Sequence, residues 1–450
     1  MPYVGEGFVR DDFNWLENIV HDGKVDYLRP FTKTTGFFRP MVSLSFGIQY
    51  QIHGMASKPY GLFNLLLHLL NIVLVYLLLI RIEKTKPYAL GAAILFAFNA
   101  KATGMAVGWI SGRTTLLFSF FLLLSLYSFF SLSRIMRVRF LLTGVFYFAS
   151  LLSKETAAAA PIFIFLVTFL SCRESRLKTS FFDRTKKGIG DTAAFILPLI
   201  VYFFLRFNSD AITPFNAPDY YKYTFAPLTL LENLIEYAIR AALLDTYVIL
   251  SFLVLTLAAF VWSKQKLGSK ERFDNSAGYW SILWFVIFLL PAIFVPTRSS
   301  LYSYFPQVGL HVSALAILFY IWRNTIKNQK VLRNAALIFL CFLLLGWGRY
   351  LFLKSLSFGE DGNVSTQFTR QVVQSILEIP SESKIYIIDQ HFREKLSPSN
   401  LISYGFNSML NLYYPQKKFK GEIVTPSKAT KLKVNPNSFF FIWENGDLRK

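Results

Sequence analysis

A chain of 450 residues that is 53% hydrophobic, carries 47 phenylalanines and has a mean hydropathy of +0.39 excludes an ordinary soluble globular domain. Its formal net charge of +20 does not point to nucleic acid, because the basic residues sit in short loops between apolar runs rather than on one aromatic-bearing face. The two cysteines, Cys172 and Cys341, exclude a disulfide framework and a cysteine metal site.

The chain opens with a polar stretch over residues 1–59 that contains the adjacent pair Asp11-Asp12, followed by a short helix from Phe13 to Val20. About ten apolar spans follow, taken from run length and breaker residues. They are Tyr60 to Ile80, Tyr88 to Ile110, Thr114 to Leu132, Phe140 to Leu152, Thr156 to Ser171, Ile189 to Arg206, Thr246 to Trp262, Tyr279 to Pro296, Tyr304 to Trp322 and Asn334 to Leu353. The fourth and fifth meet at Ser153-Lys154-Glu155, a turn expected at the membrane-water interface. One set of alternate loops holds twenty Lys and Arg and the other six, so the basic set is expected on the cytoplasmic side. The fold class is an all-α polytopic membrane bundle over 60–354. Residues 1–59 form an outward first loop with interfacial helices, and 355–450 an outward soluble α/β domain.

Residues 1–59 would cross the membrane with no apolar segment ahead of them, so a natural first helix is expected upstream of Met1. In the tail, a helix is expected around Phe368 to Leu377, a strand at Lys384 to Asp389, a helix near Asn400 to Tyr413 and a strand at Phe439 to Trp443. There is no tetratricopeptide period. Asn363-Val-Ser is a glycosylation sequon, a three-residue pattern of little specificity.

Soluble-enzyme motifs are missing: there is no phosphate-binding glycine loop, no zinc-spaced histidine pair and no nucleophile elbow. The five histidines are scattered, and structural roles suit them. Chemistry must therefore come from polar residues at the helix ends. Asp11 and Asp12 are good helix N-caps. They are also two neighbouring carboxylates, one of which should hold its proton more tightly and serve as a base nearer neutral pH. Lys154 can snorkel and Glu155 can favour the helix start that follows it; alternatively a fixed ammonium there neutralises a phosphate leaving group. Arg39, Arg113 and Arg298 fall on the same side, as interfacial anchors or as planar forks for phosphate.

The runs FFRPMVSLSFGIQYQIHG (Phe37 to Gly54), YGLFNLLLHLLNIVLVYLL (Tyr60 to Leu78), GWISGRTTLLF (Gly108 to Phe118), LLSKE (Leu151 to Glu155) and RSSLYSYFPQVG (Arg298 to Gly309) occur in that order. Together they resemble the membrane domain of the transmembrane-and-tetratricopeptide O-mannosyltransferases and their bacterial relatives, which belong with glycosyltransferase family 39 and the GT-C fold. The resemblance covers about Phe8 to Trp322. It implies an inverting transferase that moves a monosaccharide, mannose in the named family, from a polyprenyl-phosphate carrier to a hydroxyl of a glycan, lipid or protein. The implied setting is the outer, periplasmic or lumenal side of the membrane, in a bacterial or archaeal cytoplasmic membrane with the active site facing outward. It implies Asp11 as the catalytic base with Asp12 beside it, and a donor site that includes Lys154, Glu155, Arg113 and Tyr302. It also implies a membrane helix immediately before the first loop.

One departure stands out. Where relatives carry a His-Pro-x-His-x-Glu pattern, this chain reads Ala100-Lys101-Ala102-Thr103-Gly104-Met105. That puts in doubt any metal or sugar contact those residues supply. No cofactor is required by the sequence, and a divalent metal such as Mg or Mn is left open. A lipid or solute transporter and a catalytically inactive scaffold are the rival readings; ionisable residues at helix ends and the lack of half-to-half symmetry count against the transporter.

Overall fold

A computed structural model describes the chain except for residues 33–35, 84–85, 132–135, 175–179, 210, 212–217, 219–220, 243–275, 322–329 and 433–435. The first loop carries helix α1 (Asp12–Glu17), hairpin β1 (Val20–His21) and β2 (Lys24–Val25), α2 (Arg29–Thr32) and α3 (Pro40–His53). The bundle then runs through α4 (Lys58–Glu83), α5 (Lys86–Phe98), α6 (Ala100–Gly108), α7 (Arg113–Ser131), α8 (Met136–Leu151), α9 (Ala160–Glu174), α10 (Phe181–Phe207), α11 (Pro227–Ala242), α12 (Ser276–Ile293) and α13 (Gln307–Ile321). It ends in the 46-residue α14 (Lys330–Ser375).

α4 shows why these helices form a membrane bundle. Leu62, Leu66, Leu69, Leu70 and Val73 make an exposed apolar stripe, whereas Asn64, His68 and Asn71 are buried. A helix that is apolar outside and polar inside suits lipid surroundings. Its inward amides stitch the bundle: Asn64 Nδ2 donates to the carbonyls of Trp109 (3.1 Å) and Ile110 (2.9 Å), and Asn71 Nδ2 to that of Leu116 (3.1 Å). His68 Nδ1 lies 2.7 Å from the Tyr304 hydroxyl.

Among the described residues three helices are long and apolar enough to cross a membrane, over Ser57–Ile82, Ile110–Ser131 and Phe181–Phe207. The expected second span is not one straight helix. It bends by 61° between α5 and α6. Asn99 causes the break: it leaves the helical conformation, caps α6 by accepting from Ala102 N, and donates Nδ2 to Ala241 O at 2.6 Å. The fifth and eighth spans correspond to shorter apolar helices, Glu155–Leu170 and Trp280–Ile293. The seventh, Thr246 to Trp262, lies outside the described residues, as do several of the basic loop residues.

The tenth span does not stop at Leu353 but continues as α14 to Ser375, absorbing most of the helix expected at Phe368 to Leu377. Beyond it, β3 (Lys384–Asp389) pairs in parallel with β4 (Lys420–Val424) and β5 (Ser438–Glu444), and β5 pairs antiparallel with β6 (Asp447–Arg449). The helix expected near Asn400 to Tyr413 is broken into α15 (Pro398–Leu401), a 3-10 turn at Ser403–Gly405 and α16 (Phe406–Tyr413). A β-carbon on Gly405 would lie 2.5 Å from the Arg10 carbonyl oxygen, so this break lets the first loop approach the tail.

Candidate active site

The N-terminal segment is clamped along α14. Gly7 and Gly362 meet backbone to backbone, so that a β-carbon on Gly7 would fall 2.1 Å from the Gly362 carbonyl oxygen. Tyr3 N donates to Ser355 Oγ at 3.1 Å, Thr366 Oγ1 to Glu6 O at 3.2 Å, and Ser365 Oγ to Phe8 O. Arg10 then turns the chain with a φ of 57°, and Arg10 N donates to Leu401 O. This turn delivers Asp11 and Asp12 to the interior.

The two acids have different surroundings. Asp12 is fully buried and saturated: Oδ2 accepts from Val9 N at 2.8 Å, and Oδ1 from Ser111 N at 2.8 Å and from Ser111 Oγ. It pins the first loop to the turn that precedes α7. Burial, and then the Asp11 charge, push its pKa up to about 7. Asp11 occupies the N-cap position of α1, yet its side chain makes no capping hydrogen bond, and its Oδ1 is buried without a partner. Burial raises the Asp11 pKa as well, opposed by its own backbone N–H, by the Arg39 charge, by the Ser111 hydroxyl and by the Arg10 charge.

Arg39 faces Asp11 from the start of α3, where Pro40 sets the first turn and Met41 N donates to Leu152 O at 3.1 Å. That bond brings Arg39 to the Ser153-Lys154-Glu155 turn. Arg39 and Glu155 form a bidentate pair, Nε to Oε2 at 3.1 Å and Nη2 to Oε1 at 2.7 Å. Lys154, in extended backbone, points inward and is 4% exposed. Its Nζ donates to Thr115 Oγ1 at 2.9 Å and lies 4.8 Å from the centre of the Tyr302 ring. Burial, and then the Arg39 charge, lower its pKa to about 7.

Asp11, Arg39, Lys154, Glu155 and Tyr302 are thus brought together, whereas two of the expected cations face other partners. Arg113 is fully buried, donates Nε to Asn64 Oδ1 at 3.0 Å and Nη2 to Tyr60 O at 2.9 Å, and lies against the rings of Phe46, Tyr60 and Phe63. Arg298 donates to Asn233 Oδ1 at 2.6 Å and to Glu232 at 3.0 Å, on α11. Three partners were not singled out from sequence: Ser111 beneath Asp12, Thr115 beneath Lys154, and Arg206, whose charge acts on Glu155 and whose Nη1 donates to Tyr202 OH at 3.2 Å. Ser111 and Thr115 flank Arg113 in the run GWISGRTTLLF, and that proximity was the available signal. Among the described residues, no group of three His, Cys, Asp or Glu is placed to hold a metal ion.

These shifts set a pH dependence of stability. Between its ordinary 3.8 and about 7, native Asp12 keeps a proton that the unfolded chain has lost, so stability falls as pH rises through that window. Between about 7 and 10.5, native Lys154 has lost a proton that the unfolded chain keeps, so stability rises again. The thermal unfolding midpoint in detergent is expected to pass through a minimum near pH 7, and Lys154→Met should remove the alkaline rise. A midpoint that is flat from pH 4 to 10 would contradict the burial of both groups.

No protein-family model matches the chain, and no curated protein matches it in sequence. Among solved structures, ArnT from Cupriavidus metallidurans bound to undecaprenyl phosphate is similar with a TM-score of 0.51 and 13% identity, over 98% of this chain and 90% of that one. At that identity the likeness is one of fold: the chain shares the helical architecture of that structure over nearly its whole length.

Proposed function

We propose that the protein is a membrane glycosyltransferase that uses a polyprenyl-phosphate-linked sugar. The observation that carries this reading is an Asp11 carboxylate with one buried, unpartnered oxygen in the field of Arg39, the same arginine that acts on the buried Lys154. Asp11 takes the proton of an acceptor hydroxyl, whose oxygen attacks the anomeric carbon. The bond from that carbon to the phosphate oxygen breaks, and its electron pair leaves with the lipid phosphate. Attack from the face opposite the phosphate inverts the anomeric centre.

Lys154 and Arg39 stabilise the departing phosphate, while Glu155 holds the Arg39 fork in place and Tyr302 shields the Lys154 charge. A phosphate dianion beside Lys154 restores the proton that burial costs it. The bound lipid in ArnT is of the class this site suits, and the sequence resemblance adds mannose as the sugar and the outer side of the membrane as the location. In this reading Arg113, bonded to Asn64 and Tyr60, and Arg298, bonded to Asn233 and Glu232, support the fold and leave the phosphate to Lys154 and Arg39.

The test is purified protein in nanodiscs, supplied with a radiolabelled polyprenyl-phosphate sugar and a membrane extract as the source of acceptors. Covalent label on an acceptor is expected. Label crossing sealed vesicles without covalent transfer would establish a transporter instead. A folded protein that turns nothing over would establish a scaffold.

A further inference from the structure

A second charged cluster lies around Arg10, the chain neighbour of Asp11. The Phe358 ring on α14 is flanked by two cations, Arg10 with its guanidinium carbon 6.0 Å and Lys354 with its Nζ 5.1 Å from the ring centre. Lys395, from the tail, adds a third, donating to Ser357 Oγ at 2.8 Å. One carboxylate serves all three: Asp361, 3% exposed, is 4.0 Å from Arg10 Nη2 and 3.6 Å from Lys395 Nζ. Lys354, Phe358 and Asp361 fall at i, i+4 and i+7 and so share one face of α14.

The cluster is therefore two positive charges in excess. Lys354 has no hydrogen-bond acceptor among the described residues, and its stem lies on Gly104, where a β-carbon would come 3.0 Å from its Cγ. Arg10 also sits 5.6 Å over Trp109, whose indole nitrogen is buried with no acceptor among the described residues. Bringing three like charges from residues 10, 354 and 395 around one acid is unfavourable on its own, and Arg10 adopts a left-handed backbone to join them. Two cations in excess of the one carboxylate call for an anion.

We infer that Arg10, Lys354 and Lys395 form a binding site for a phosphate group carried by the acceptor. The inference rests on the reading of Asp11 as the base, because Arg10 is its chain neighbour and the bound phosphate would hold the acceptor hydroxyl beside it. The phosphate can belong to a soluble phosphorylated glycan or to a membrane lipid headgroup.

The test is binding by the full chain. Inorganic phosphate is titrated against protein in phosphatidylcholine nanodiscs, with sulfate-free chloride buffer at matched ionic strength, and the same protein is compared in nanodiscs containing phosphatidic acid. Saturable binding of inorganic phosphate identifies a soluble phosphorylated source, and thermal protection by phosphatidic acid alone identifies a lipid headgroup; either supports the site. Titrated in a Lys154→Met background, so that the donor-phosphate site does not contribute, Lys354→Gln and Lys395→Gln are each expected to weaken binding about tenfold or more, whereas Lys384→Gln, outside both clusters, should leave it unchanged. No saturable effect in either nanodisc, or binding by both Gln variants as tight as that of the protein with Lys354 and Lys395 intact, overturns the proposal. Failure of the Asp11 assignment would appear differently, as Asp11→Asn protein that still transfers sugar while phosphate binding remains sensitive to the lysines.

Discussion

Asp11→Asn is expected to lower sugar transfer by about 10²- to 10⁴-fold, the usual contribution of a positioned general base, while leaving the thermal unfolding midpoint unchanged or raised. The asymmetry follows from the surroundings of the pair. Asp11 makes no side-chain capping bond and its Oδ1 has no partner, so an amide in its place loses little and removes a partly buried charge. Asp12→Asn should do the reverse. Its oxygens accept from Val9 N, Ser111 N and Ser111 Oγ, and an amide would turn a donor against one of them. Leaving such a buried donor unsatisfied costs about 1–3 kcal/mol. Transfer by purified variants, set beside their unfolding midpoints, separates the two roles. Wild-type turnover by Asp11→Asn would remove Asp11 from the mechanism.

Lys154→Met should show activity and stability moving in opposite directions. The ammonium is 4% exposed, and the field of Arg39 adds to the cost of its charge. A methionine fills similar volume without that cost, so the unfolding midpoint should rise. Transfer should fall by about 10²- to 10³-fold, as when one preorganised donor to a developing negative charge is removed. Lys154→Arg should retain part of the activity because it keeps a cation, although its fork has a different reach from the ammonium on Thr115. A Lys154→Met protein that is both more stable and fully active would make the lysine a structural residue with no part in phosphate departure.

Much of this arrangement was legible in the sequence because apolar run length and charged helix ends are local properties. The apolar length of Tyr60 to Ile80 locates α4, and Ser153-Lys154-Glu155 locates the interfacial turn with its inward lysine. The strand at Lys384 to Asp389 is observed with the same bounds. What sequence did not supply is pairwise. That Arg39 meets Glu155, and that Arg113 instead meets Asn64 and Tyr60, depends on contacts between residues about 50 to over 100 positions apart. An arginine beside a glycine reads the same whether it faces a phosphate or a carbonyl. The break at Asn99 was hidden for a similar reason: an asparagine between apolar runs becomes a cap only because Ala241 offers it a carbonyl. Strand β4 (Lys420–Val424) was missed because Lys-Gly-Glu lacks the β-branched alternation that marks most strands.

The seating of the first loop on α14 and the tail has a consequence for heredity. Gly7 with Gly362, and Gly405 with the Arg10 carbonyl, are backbone contacts between opposite ends of the chain that leave no room for a β-carbon on any of the three glycines. Because the clash is with backbone, no side-chain change at one site makes room for a change at the other. Related sequences that keep this seating should therefore keep glycine at 7, 362 and 405. A chimera that takes residues 1–59 from one homologue and the tail from another should inherit intact membrane helices but a misplaced Asp11. In lineage terms the two ends of the gene behave as one unit of selection, coupled to the membrane bundle where Asp12 meets Ser111 and Arg39 meets Glu155.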